Sequence, residues 1–437
     1  MHSIIQVAYS HNKIYNQTMN KLPANWKKLK IEDCADIIGG GTPSTKKKEY
    51  WDGNISWITP KDLSNYNSRY ISRGSRNISE KGLKYSSARL LPKNSVLLTT
   101  RAPIGYLAIS KKELATNQGF KSLIMKNGNV PEFFYYLLKN NIAKLLQYAS
   151  GTTFMELNAT NLKSIEFYIP EVAEQKRIAS ILSSFDDKIE LNNKTNKILE
   201  EMAQTIFEEW FINFNFPTAN GKPYKKSGGE MIGSELGEIP KGWKIITIGD
   251  YAKLKSGFAF KNSWWQNDGI PVIKIQNISS GNLNFEQCSF VSEDKYNIAE
   301  SFRVNGGDLL ISLTGSLGKF AIVPKLDKDA LVNQRVGKFF LGEEPVKKLP
   351  FLYGILNELR DLIVSLANGS VQQNISPTDI ENVKIIFPSD KMLNKYNNLM
   401  QDVFYKIIFN QRENEKLSKI RDSLLPKLMA GEIRAKK

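Results

Sequence analysis

The sequence predicts an α+β chain: two homologous globular domains joined by two long helices that form an antiparallel coiled coil, related by a pseudo-two-fold axis. Three observations predict it. The chain repeats itself with a period near 217 residues, each copy closes on a long proline-bounded helical stretch, and each stretch carries a heptad seam with two central asparagines.

The duplication comes first because it sets the frame for all else. Leu22-Pro23-Ala24-Asn25-Trp26-Lys27 returns as Ile239-Pro240-Lys241-Gly242-Trp243-Lys244. Asp52-Gly53 through Trp57-Ile58-Thr59-Pro60-Lys61-Asp62-Leu63 aligns with Asp268-Gly269 through Val272-Ile273-Lys274-Ile275-Gln276-Asn277-Ile278. Val96–Arg101 with Ile104-Gly105 matches Asp308–Thr314 with Leu317-Gly318, Asn117-Gln118 recurs as Asn333-Gln334, and Ser150-Gly151 as Asn368-Gly369. An ordered series at one period is beyond chance.

Within each copy a mixed region precedes the helix. Short β-rich runs, Ser95–Thr99 and Asp308–Ser312, accompany amphipathic helices expected over Glu132–Gln147 and Phe351–Leu366. The predicted layout is an N-terminal extension (1–21), a first domain (22–170), a central helical spacer (171–213), a linker (214–238), a second domain (239–388), a C-terminal helical spacer (389–429) and a tail (430–437). Met19 falls just before the repeated frame, so residues 1–18 are expected to be a start-site extension.

The helices follow strict heptad spacing. Ile178, Leu182, Phe185, Ile189, Asn192, Asn196, Leu199, Ala203, Ile206 and Trp210 form one seam; Tyr396, Met400, Val403, Ile407, Asn410, Asn414, Leu417, Arg421, Leu424 and Leu428 repeat it 218 residues later. Pro170 and Pro388 precede the helices, and Pro217 and Pro426 lie near their ends. A helix over Glu171–Trp210 would be about 60 Å long. Antiparallel pairing about a pseudo-two-fold axis would set Asn192 against Asn414 and Asn196 against Asn410, fixing register because a slip leaves the amides unpaired.

Composition bounds the chemistry. The 437 residues suit two or three domains, and 41% hydrophobic content supplies real cores. A formal net charge of +16 favours a polyanion, nucleic acid before membrane. Cys34 and Cys288 alone make no disulfide framework or thiolate cluster, which fits a reducing cytoplasm. No apolar run approaches the roughly 20 residues that span a bilayer, and the N-terminus lacks a signal-peptide pattern. His2 and His11 are the only histidines, which excludes a histidine-dependent nucleophilic site from the body of the chain. No phosphate-binding loop or Asn-Pro-Pro-aromatic methyltransferase run is present.

Further marks carry a family resemblance: Gly40-Gly41-Thr42-Pro43-Ser44, Glu174-Gln175-Lys176-Arg177-Ile178-Ala179, Glu209-Trp210-Phe211, Gly221-Lys222-Pro223-Tyr224-Lys225, Ser234-Glu235-Leu236-Gly237-Glu238-Ile239-Pro240 and Leu424-Leu425-Pro426-Lys427-Leu428. From about Leu22 onward the chain resembles the specificity subunit of type I restriction–modification systems. The resemblance implies two target-recognition domains that read an asymmetric bipartite site in double-stranded DNA, without catalysis. It also implies two methyltransferase subunits docked on the helices and two restriction/translocation subunits. S-adenosylmethionine, ATP and Mg²⁺ would serve those partners, with no cofactor or metal bound by this chain. The alternatives are a specificity subunit of a related bifunctional restriction enzyme, a methyltransferase with its own recognition domain, and a scaffold without DNA.

Base reading needs patterned donors and acceptors, and phosphate anchoring needs Lys or Arg. The expected DNA-contacting residues are Lys46, Lys47, Lys48, Thr59, Lys61, Asp62, Arg101 and Lys121 in the first domain. Their counterparts in the second are Lys261, Lys274, Gln276, Asn277, Thr314, Lys319 and Arg335. Several fall where the frame is kept and the polar residue changes. Asn117-Gln118 and Asn333-Gln334 do not change, which points to turn-bracing; Trp57, Trp264 and Trp265 are expected in cores rather than as stacking platforms.

Overall fold

The computed structural model describes residues 23–64, 66–151, 155–279, 281–285, 288–315, 317–367 and 373–435. The expected N-terminal extension with Met19, and the repeat element Asn368-Gly369, lie outside the described residues. The chain divides into two compact units, residues 1–190 with 416–437 and residues 191–415.

In the first unit a five-stranded sheet runs in the order Ala35–Gly39, Lys121–Met125, Val96–Thr100, Ile104–Ser110, Tyr70–Ile71; only the last pair is parallel. A three-stranded sheet places Trp51–Ile58 between Arg76–Ile78 (antiparallel) and Ala115–Thr116 (parallel). Lys27–Lys30 and Glu166–Ile169 pair antiparallel, joining the domain's first and last strands.

The second unit repeats this plan. One sheet is ordered Lys253–Ser256, Val336–Phe340, Leu309–Ser312, Phe320–Ile322. The other sets Ile270–Ile273 between Ser289–Val291 (antiparallel) and Ala330–Val332 (parallel), with Arg303–Val304 outermost. Lys244–Thr247 and Lys384–Phe387 again join first and last strands.

The amphipathic segments differ from the expected single helices. The first is Pro131–Asn140 and Ile142–Gln147, broken at Asn141, whose Nδ2 donates to the Leu137 carbonyl at 2.8 Å. That side chain satisfies an end carbonyl the helix would otherwise leave open. The second is Leu349–Glu358 and Arg360–Ser365, broken at Leu359.

The central helix is Val172–Phe207, and its final turn, Glu208–Ile212, relaxes to π geometry instead of continuing as α-helix to Trp210. The C-terminal helix is Asp390–Met429, with Pro426 inside its last turn. Both helices cross the division between units, at Glu190/Leu191 and Glu415/Lys416, because each half of the seam packs onto the domain beside it. In the first unit Ile178, Leu182, Leu425 and Leu428 join Phe133, Tyr136 and Phe167 in one core. In the second, Phe207, Tyr396, Met400, Phe404 and Ile407 join Phe351 and Ile385. The segments expected as linker and tail also enter cores. Phe214 and Phe216 pack on Trp243 at centroid separations of 5.7 and 5.0 Å, and Arg434 chelates the buried Glu174 at 2.7 and 2.9 Å.

Within the second unit the helices run antiparallel and the four seam asparagines meet in pairs. Asn192 Nδ2 donates to Asn414 Oδ1 at 2.9 Å and to Glu413 at 2.7 Å, and Asn410 Nδ2 donates to Asn196 Oδ1 at 2.8 Å. Asn410 is fully buried, and its Oδ1 has no partner among the described residues.

Buried polar contacts tie each domain to its helices. In the first unit Arg69, 4% exposed, donates to Tyr136 Oη at 3.1 Å and to Asp187. Asp186 accepts from Tyr136 and, at 2.5 Å, from Arg421 of the C-terminal helix. In the second unit Gln411 Nε2 donates to the Gly281 carbonyl at 3.0 Å. Beside it lies Glu200, whose carboxyl burial, with neighbouring Glu201, pushes up to about 7.

Three outcomes follow from these contacts. Asn196→Leu alone strands the Asn410 amide and lowers stability by roughly 1–3 kcal/mol, whereas Asn196→Leu with Asn410→Leu restores or raises it in chemical melts. Asp186→Ala takes from the buried Arg69 and the half-buried Arg421 the carboxylate they share, leaving each its second partner, Asp187 and Asp422, and we expect a loss of about 1–3 kcal/mol. Glu200 holds its proton more tightly folded than unfolded, so its contribution is full below the usual 4.5 and is lost as pH rises through about 7. Glu200→Gln should therefore stabilise the chain relative to wild type at pH 8 and not at pH 5; equal shifts at both would refute the assignment.

Candidate nucleic-acid interface

The repeated frame produces the same turn in both domains. Gly40 lies so close to the 116–117 backbone that a Cβ would sit 2.0 Å from the Asn117 carbonyl oxygen, and at Gly257 it would sit 2.2 Å from that of Val332. Only glycine fits either place. Asn117 N donates to the Ile58 carbonyl at 2.9 Å, and Asn333 N donates to that of Ile273 at 3.0 Å. Each asparagine Oδ1 then accepts a backbone N–H two residues on, from Gly119 at 2.9 Å and Arg335 at 3.3 Å. The invariant amides brace these turns.

Around this brace the expected DNA-contacting residues gather, but not all in a form that can read DNA. Thr59 and Asp62 form a capping box: Asp62 Oδ2 accepts from Thr59 N and Oγ1, both at 2.7 Å, while its Oδ1 accepts from Ser75 N at 2.8 Å. Burial opposes the charge of Asp62, yet these hydrogen bonds prevail and hold its carboxyl below the usual range. Asn277 does the same work in the second domain, accepting from Lys274 N at 2.8 Å and donating to the Asn284 carbonyl at 2.9 Å. Thr59, Asp62 and Asn277, expected at the DNA, have these polar atoms engaged in closing a helical turn. The Thr-Pro-Lys-Asp spacing is itself the capping-box signal that could have shown this. The residues held outward by these caps are Lys61 and Gln276, both exposed.

Arg101 and Lys121 share one counter-ion, Glu156, at 3.9 and 3.8 Å, so the three together carry one net positive charge. Thr314 stands where the first domain has Arg101; the residue is half-buried and its hydroxyl oxygen is buried without a partner among the described residues. Lys46, Lys47, Lys48, Lys261, Lys319 and Arg335 are exposed. Lys47 Nζ also donates to Tyr50 Oη at 3.1 Å. Lys274 is half-buried and donates to Ser289 Oγ at 2.7 Å.

One element at this edge escaped the sequence reading. The turn Ser72-Arg73-Gly74-Ser75-Arg76 packs on the Thr59–Asp62 cap, where a Cβ on Gly74 would lie 2.7 Å from the Trp57 carbonyl oxygen. Two exposed arginines flanking glycine and serine were the available signal.

Exposed cations on a braced edge, repeated twice with exchanged polar residues, define a duplicated DNA-specificity protein. Comparison with known proteins agrees. The family described as the type I restriction modification DNA specificity domain matches residues 23–201 and again 240–419, and the chain belongs to it. It is 41% identical over 427 residues to the MjaIX specificity subunit of Methanocaldococcus jannaschii, covering 95% of each chain. It is 25% identical over 441 residues to the MjaVIII specificity subunit of the same organism, covering 99% of each. Among solved structures, the type I restriction–modification S subunit from M. genitalium shares the fold at a TM-score of 0.56 and 19% identity, covering 93% of this chain and 97% of that one. No described helix is long and apolar enough to cross a membrane.

If the caps act as assigned, Asp62→Ala and Asn277→Ala should each cost roughly 1 kcal/mol in thermal or chemical melts and leave the preferred DNA sequence unaltered. A changed base preference in either variant would contradict the assignment.

Proposed function

We propose that the two domains read the unlike halves of an asymmetric bipartite site in double-stranded DNA. Two methyltransferase and two restriction/translocation subunits assemble on the same chain. The observation that carries this reading is the twice-used frame with exchanged residues at its edge: Lys61 against Gln276, and the Lys46–Lys48 run against Lys261. A shared frame keeps the mode of approach, and different side chains change what is read. Half-sites fall on one face of a duplex when their centres lie about 34–36 Å apart.

The docking surface for the methyltransferase is the outer face of the helices. Leu191, Ile198 and Met202 are exposed and fall on one face of the central helix; Tyr405 and Phe409, one turn apart, are exposed on the C-terminal helix. Large apolar side chains kept in water on otherwise polar helices mark an interaction surface. S-adenosylmethionine, ATP and Mg²⁺ act in the partner subunits and not on this chain.

Mapping methylated bases genome-wide with the gene present and deleted tests the reading. The expected result is a gene-dependent motif of two short sequences separated by a fixed gap; a single contiguous motif would overturn it. Ile198→Asp with Phe409→Asp should abolish co-purification of the methyltransferase subunit while leaving helical content and melting unchanged.

A further inference from the structure

Both domains hold a cation over an indole at the edge just described, and the cation differs between them. In the first domain the Arg76 guanidinium lies 3.6 Å from the ring centroid of Trp51. In the second, Lys274 Nζ lies 3.6 Å from that of Trp265. The two arise from different strand positions. Arg76 sits opposite Trp57 in the antiparallel pair, and Ser289 takes the matching place opposite Val272. Lys274, one residue past its own strand, reaches across to that Ser289 and to the indole.

The indoles are themselves fixed. Trp51 Nε1 donates to the Ser44 carbonyl at 3.1 Å and packs edge-on against Trp57, whose Nε1 donates to that of Gly41 at 2.9 Å. In the second domain Trp265 packs against Phe260. Trp51 is thus both a core residue and a platform, and the head group above it is held before any ligand arrives.

We propose that Arg76 is a specificity-determining residue that contacts a base edge in the half-site read by the first domain, with Lys274 as its altered counterpart in the second. The proposal rests on the DNA-reading assignment and deepens it. A guanidinium held over an indole presents its planar fork of donors from a fixed place, which suits paired acceptors on a guanine edge. Lysine on the same kind of platform, reached from a different strand position, offers a point charge without the fork, so the two domains give unlike readings. The Lys46–Lys48 run, without such a platform, suits phosphate.

The test selects duplexes from a random library with the full chain in its assembled complex, comparing wild type, Arg76→Lys, Arg76→Ala and Lys274→Arg. Arg76→Lys keeps the charge and the platform and controls for folding, which melting of each variant checks. The expected result is a loss of about ten-fold or more in discrimination at one base pair of one half-site, the other half-site unchanged. Lys274→Arg should alter the opposite half-site. A uniform loss of affinity for all sequences, with the salt slope reduced by about 1, would make Arg76 a phosphate contact and overturn the proposal. An unchanged motif would overturn it as well. Failure of the wild-type complex to select any motif would instead overturn the DNA-reading assignment itself.

Discussion

Amide pairing inside the seam between the central and C-terminal helices is the constraint on which the rest of the chain is built. Asn192 donates to Asn414 and Asn410 donates to Asn196 where aliphatic side chains would pack more stably. Hydrocarbon contacts tolerate sliding because one leucine meets another almost as well as the first. Amides do not, since a displaced pair leaves buried donors and acceptors without partners. Within the second unit, the side chains that face the seam take their neighbours from that register.

The domains are then fixed to their helices by chemistry that differs between copies. The first uses a charged network, Arg69 and Arg421 gathered on Asp186 and Tyr136. The second uses a backbone approach, with the glycine tip at Gly281 set against Gln411 and a carboxyl, Glu200, that favours its proton. Two solutions at comparable places show that attachment itself is what must persist. The edge has the same character: the glycine approach, the braced turn and the helical cap recur, while the residues held outward change. Separating frame from reading side chains lets one architecture carry two specificities.

Much of this was legible in the residues. Strict spacing exposed the seam because knobs repeat wherever helices pair, and the duplication revealed itself through Asp-Gly and Asn-Gln marks that recur where the backbone frame is kept. Other features were not. Asp62 and Asn277 look like readers in a list of polar residues, and become caps only when their backbone partners are seen. Thr314 looked equivalent to Arg101 by alignment, yet its hydroxyl turned inward. Trp51 was passed over because a tryptophan in a core and one under a cation have the same letter.

The sequence by itself determined the repeat, the helical seam with its asparagine pairs and the family. These are properties of period and composition, which survive without coordinates. Tertiary structure decided which polar groups are consumed internally and which remain to face a ligand. It also decided that Glu156 serves two cations, and that an arginine from one strand lies over an indole from the start of the strand paired with it. The physical reason is that hydrogen bonds and ring contacts depend on direction and ångström-scale distance between residues far apart in the chain, and those are fixed only once the cores have packed.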